Sequence, residues 1–265
     1  MLFGLLQEKP LLDEDSIQWL FETYEWALNN FDSDVFLNET TMVLPTNDYF
    51  PGHANNAHDM AAIIFEQVKK YAGLSHWPCK LMDQSSCRIE TPPKVLIEGA
   101  LRGSRAVAPE SVADENKLLI TYHPDQVKNP QALIASFAHM LSHYLGSMAQ
   151  QPSPGGEAFW PQTTEVLAAF MGFGLIFSNS AYTFQRNTCG SCAGAVPSRT
   201  GYLTPSEMTY AFAVFCVLKN IPNKDVLPHL KKSLRSFFKK SVIDINKRTS
   251  SLELLKRIDA PLLDS

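Results

Sequence analysis

The sequence predicts an α+β fold that is predominantly helical. Apolar residues recur at helical spacing over most of the chain, only two short runs have β character, and capping residues precede the longest periodic segments. With 265 residues, 45% of them apolar and 19% charged, the chain can bury a substantial core. We expect a single domain over 1–265: an N-terminal helical cap (1–90), a small sheet followed by a histidine-bearing helix (91–150), and a helical lower portion (151–265).

The segment SIQWLFETYEWALNNF places Ile17, Leu20, Phe21, Tyr24 and Leu28 on one helical face, with Asp13 or Asp15 as N-cap. A turn-rich stretch then leads to MAAIIFEQVKKYAG, a second helix closed by Gly73. Two β-type runs follow, KVLIEGAL at 94–101 and KLLITYH at 117–123, which we expect to share one sheet. Asn129 and Pro130 start a helix through QALIASFAHMLSHYLG that Gly146 should end. After a Pro/Gly/Gln-rich loop, a long helix is expected from near Thr163 through Phe184. Thr204-Pro205-Ser206-Glu207 combines a capping box with proline at the first helical position.

Basic amphipathic helices finish the chain. Lys231, Lys232, Arg235, Lys239, Lys240, Lys247 and Arg248 stand against one acid, Asp244. Leu230, Leu234, Phe237 and Phe238 form an apolar stripe there, so the lysines read as its solvated face. The net charge of −4 gives no reason to expect nucleic acid or a membrane as partner. MLFGLLQEKPLL has neither a basic region nor a small-residue cleavage site, so a cytoplasmic location is expected. VLAAFMGFGLIF at 166–177 is too short to cross a bilayer.

The odd cysteine count, Cys79, Cys87, Cys189, Cys192 and Cys216, argues against a disulfide framework and for reduced thiols. Cys189-Gly-Ser-Cys192 has CxxC spacing without the strand–helix context of a redox motif or a second ligand pair for zinc, and reads as a surface loop.

His139 and His143 lie four residues apart on one helix, so their imidazoles are separated by about 40° around the axis and about 6 Å along it, within reach of one ion. Glu165, on the next helix, is the candidate third ligand for zinc. The plainer reading makes the histidines one buried and one solvated helix residue, with Glu165 exposed; on spacing alone this reading is favoured.

HMLSHYL at 139–145, TEVLAAFMGFG at 164–174 and GYL at 201–203 resemble the corresponding stretches of the gluzincin-type metallopeptidases, in particular a group of bacterial proteins with an HELxHYL helix. MVLPT and WPCKL extend the resemblance upstream. It implies a zincin-like fold with a small sheet and a two-helix Zn2+ site at His139, His143 and Glu165.

The chain departs from that pattern at Met140, where the peptidases carry the glutamate that holds the attacking water and shuttles its proton. A thioether does neither, and losing such assistance costs about 10² to 10⁴ in rate. Glu157, Tyr144 and His123 are the substitute bases near enough in sequence to consider, and each has a plainer structural reading. The expectation is a degenerate zinc metallopeptidase-like protein with weak or no hydrolysis and a peptide or protein partner in its cleft. An active peptidase or amidase with a substitute base and a metal-free helical interaction protein are the alternatives.

Overall fold

Asp13 starts the first helix. Its carboxylate accepts from the Ser16 backbone N–H at 2.8 Å, and Glu14 and Asp15 set negative charge at the positive end of α1 (Glu14–Asn30). Every residue of the anticipated face is buried, joined by Trp26 and Ala27. In the computed structural model of the chain, residues 10–84, 97, 99–109, 111–180 and 202–258 are described.

Helix α2 (Ala57–Ala72) begins at the Asn56 N-cap and ends at Gly73. Strand β1 (Cys79–Asp83) pairs in parallel with β2 (Leu118–Tyr122), in a register from Cys79 with Leu118 to Asp83 with Tyr122. The second strand lies where the sequence places it; its partner does not. Of the run at 94–101, residues 94–96 and 98 lie outside the described residues, and 99–101 is not a strand.

Gly99–Gly103 is instead tied to the end of α2. Trp77 Nε1 donates to the Leu101 carbonyl at 3.0 Å, and Gly103 N–H to that of Gly73 at 2.9 Å. Arg102 is buried, donates to the carbonyl of Ala72 and the Thr40 hydroxyl at 3.0 Å each, and lies over the Phe170 ring. Because β1 falls within 1–90, the sheet joins the first portion of the chain to the second.

Helix α3 (Pro130–Ser147) starts at Asn129, as expected, but runs through Gly146. The role of Gly146 is close approach rather than termination: a Cβ there would stand 2.6 Å from Trp160 Cη2 and 2.9 Å from Leu167 Cδ1. Helix α4 (Gly156–Ala168) begins seven residues before Thr163, with Pro161 inside it. This ring removes a single i→i−4 bond, a loss the surrounding helix tolerates.

The long helix anticipated beyond Thr163 is broken. A π-type turn at Ala169–Phe173 separates α4 from α5 (Gly174–Ser180), and residues 181–184 lie outside the described residues. Gly172, at φ 99°, allows the break, and its carbonyl accepts from the Val43 N–H at 2.9 Å. A Cβ at Gly172 would meet Thr41 O at 2.1 Å, so no side chain fits there.

The capping box forms as read. Thr204 Oγ1 accepts from Glu207 N–H, and the Glu207 carboxylate from Thr204 N–H, at the start of α6 (Pro205–Leu218). After a single turn α7 (Asn223–Val226), α8 (Lys232–Lys247) and α9 (Thr249–Arg257) follow. Leu234 and Phe238 are buried, and α8 packs on α6 while α9 packs on α1. Helix α3 is packed among α2, α4 and β2, so the histidine-bearing helix sits at the centre of the fold. No helix among the described residues is long and apolar enough to cross a membrane.

Candidate metal centre

The packing of α3 against α4 sets the geometry of the trio. His139 and His143 are half-buried on α3, and Glu165, 7% exposed, lies on the neighbouring α4 near His139. The absence of a side chain at Gly146 lets the Trp160 indole lie against α3, where its Nε1–H donates to His143 Nδ1 at 3.2 Å. The two rings meet edge to face, with centroids 5.8 Å apart.

Glu165 is held from another direction. Its Oε1 accepts from the Tyr202 backbone N–H at 3.1 Å and its Oε2 from that of Leu203 at 2.8 Å. The carboxylate thus ties α4 to the two residues that lead into the Thr204 cap of α6. Burial, the largest influence, pushes the Glu165 carboxyl above its ordinary value, while the Leu203 N–H, His139 and the Tyr202 N–H pull it down without cancelling the effect. Tyr202 also lies parallel to the His139 ring, with centroids 6.5 Å apart.

An indole N–H only donates, so His143 Nδ1 must be the acceptor, and in the neutral imidazole the proton resides on Nε2. Neither ring nitrogen then offers a lone pair to zinc while this bond stands. Among the described residues, no group of three or more His, Cys, Asp or Glu is arranged to hold a metal ion. The donor types suit zinc, and in this structure Trp160 takes one ring nitrogen of His143 while two backbone N–H groups take the Glu165 oxygens.

Met140, between the two histidines on α3, is buried, 7% exposed. The three substitute bases have other surroundings. Tyr144 donates its hydroxyl to the Leu119 carbonyl of β2 at 3.2 Å. His123 caps a short 3-10 turn, with Nδ1 accepting from the Asp125 N–H at 3.2 Å. Glu157 is exposed in the first turn of α4.

Trp160 and the Tyr202–Leu203 backbone were not singled out as parts of the site by residue type. The second had a sequence signal, because GYL at 201–203 belongs to the pattern that carries the metallopeptidase resemblance. The first had none.

Cys189 and Cys192, like Cys87, lie outside the described residues. Cys79 and Cys216 are free thiols, and burial pushes the Cys79 thiol up to about 12 and raises that of Cys216 as well. Both are therefore thiols rather than thiolates at neutral pH. Comparison of the chain with models of known families, with curated proteins and with solved structures returns no match.

Proposed function

We propose that this chain is a non-hydrolytic, metallopeptidase-like protein in which His143 and Glu165 serve as hydrogen-bonded ties between helices, with His139 beside Glu165, and that it acts by binding a peptide or protein partner. The observation that carries this reading is the main-chain capture of Glu165. Both carboxylate oxygens are engaged by Tyr202 and Leu203, His143 is engaged by Trp160, and Met140 offers no base. The support for a partner is the exposed aromatic surface beside the trio. Tyr202 is 41% exposed against His139, and an amphipathic tyrosine ring of this kind often anchors a protein interface.

A second reading keeps zinc at His139, His143 and Glu165. What favours it is the nearness of His139 to the Glu165 carboxylate. A neutral hydrogen bond such as that from Trp160 is worth about 1 kcal/mol, whereas structural zinc binds with roughly 10 kcal/mol or more, so the bond alone would not keep the metal out.

Elemental analysis of untagged protein, wild type beside His143→Ala, separates the two readings. We expect less than stoichiometric zinc in the wild type, unchanged by the substitution, and no turnover of peptide substrates. Near-stoichiometric zinc that disappears in His143→Ala would establish the second reading. Turnover that falls in Glu157→Gln would instead reveal a working hydrolase with a substitute base. Peptide hydrolysis gained in Met140→Glu would show that the ligands and cleft of a peptidase survive.

A further inference from the structure

Helix α8 treats its two kinds of cation differently. Its arginines are turned into the fold. Arg235 donates to the carbonyls of Leu230 and Pro228 at 2.9 and 3.1 Å, while Arg248, at the C-cap, binds Asp244 and Glu14. Lys232, Lys239, Lys240 and Lys247 are exposed and form no ion pair with any described residue.

Elsewhere lysines do find acids: Lys80 and Lys117 meet Asp114 at 3.1 and 2.7 Å, and Lys128 meets Asp125 at 3.0 Å. The one acid within α8, Asp244, is occupied by Tyr210 and Arg248. Steps of seven residues, from Lys232 to Lys239 and from Lys240 to Lys247, are close to two helical turns, so the four ammonium groups share one side over roughly 22 Å. Ile243, 57% exposed, stands in the same row.

We propose that this face of α8 docks on an anionic phospholipid surface. The charges are complementary: Lys232, Lys239 and Lys240, with Lys247 beside the already occupied Asp244, present a cationic row to which an anionic plane is attracted. Shape favours a plane as well. A single surface helix is a convex ridge that touches a flat interface along its length, whereas an extended or helical peptide is recognised by a groove or a sheet edge. Base readout in nucleic acid relies chiefly on bidentate arginine, and both arginines of this segment are committed to the fold.

The apolar side of α8 is spent on the core, through Leu234, Phe238 and Ile245. Only Ile243 is left to enter the headgroup layer, so the contact is peripheral and sensitive to salt.

The test is co-sedimentation of the whole chain with vesicles of equal parts phosphatidylserine and phosphatidylcholine, against vesicles of phosphatidylcholine alone. Retention is expected on the anionic vesicles only, and high salt should abolish it. Each lysine near the surface contributes about fivefold to partitioning, so Lys239→Ala/Lys240→Ala should weaken retention on the order of 25-fold, with an unchanged circular dichroism spectrum as the control for folding. Ile243→Ser should weaken it less. Absence of retention on anionic vesicles at low salt, equal retention on both vesicle types, or retention untouched by the double substitution would each overturn the proposal. Binding to duplex DNA without retention on vesicles would assign the face to nucleic acid instead.

Discussion

Two partly buried carboxylates hold this fold together by different physical means. Asp244, on α8, accepts from the Tyr210 hydroxyl at 2.6 Å and from Arg248 Nε at 2.9 Å, and Arg248 in turn binds Glu14 of α1. Glu165, on α4, has two backbone N–H groups and a neighbouring histidine, but no guanidinium or ammonium among the described residues. Burial pushes both carboxyls up. At Asp244 the tyrosine and arginine outweigh it and the carboxyl sits below its ordinary value; at Glu165 the dipoles and His139 do not, and the carboxyl sits above. Asp244 keeps a third of its side chain exposed, so a tyrosine hydroxyl and an arginine outweigh its burial, whereas Glu165, 7% exposed, loses more hydration than two peptide dipoles and His139 restore.

The largest effect is expected from Glu165→Ala, which removes the acceptor of the Tyr202 and Leu203 N–H groups. We expect a loss of about 2.5 kcal/mol in urea unfolding, since the buried Leu203 N–H left unpaired costs on the order of 1 to 3 kcal/mol while the exposed Tyr202 can turn to water. A loss below about 0.5 kcal/mol would mean that the tie is not the stabilising element described here. Gly146→Ala should cost about 2 kcal/mol by driving a methyl into Trp160 and Leu167, and it should change Trp160 fluorescence as the indole leaves His143.

Tyr210→Phe should cost about 1 kcal/mol, because Asp244 retains Arg248. The smallest effects are in pH dependence. Asp244 has a depressed value when folded, so its contribution is present above the ordinary aspartate range and is lost as pH falls through the lowered value. Asp244→Asn should therefore flatten the acid limb of the stability curve. Glu165 has a raised value when folded, so its contribution is greatest below the ordinary glutamate range and declines as pH rises through the raised value. Glu165→Gln should accordingly remove a decline in stability just above that range. Opposite slopes for the two variants would sharpen the comparison, and equal slopes would dissolve it.

Several elements were legible because their cause is local. Asp13 with Ser16, Asn129 with Ala132, and the reciprocal pair of Thr204 and Glu207 are interactions across three residues, visible in any four-residue window. Pro161, by contrast, looks like a stop signal in isolation, yet α4 passes through it. Gly146 looks like a helix end for the same reason, although its lack of a side chain serves a neighbour on another helix.

Residue pattern alone marks the helix starts at Asp13, Asn129 and Thr204 and the place of β2. These follow from periodicity, capping and residue identity. It is the packing of distant segments that pairs β2 with Cys79–Asp83, gives the Nδ1 of His143 to Trp160 seventeen residues away, and holds Glu165 on a backbone thirty-eight residues further on. Strand pairing and the backbone N–H donors leave no mark on residue type, because every non-proline residue carries the same donor and acceptor. Which of them meet is settled when the helices pack.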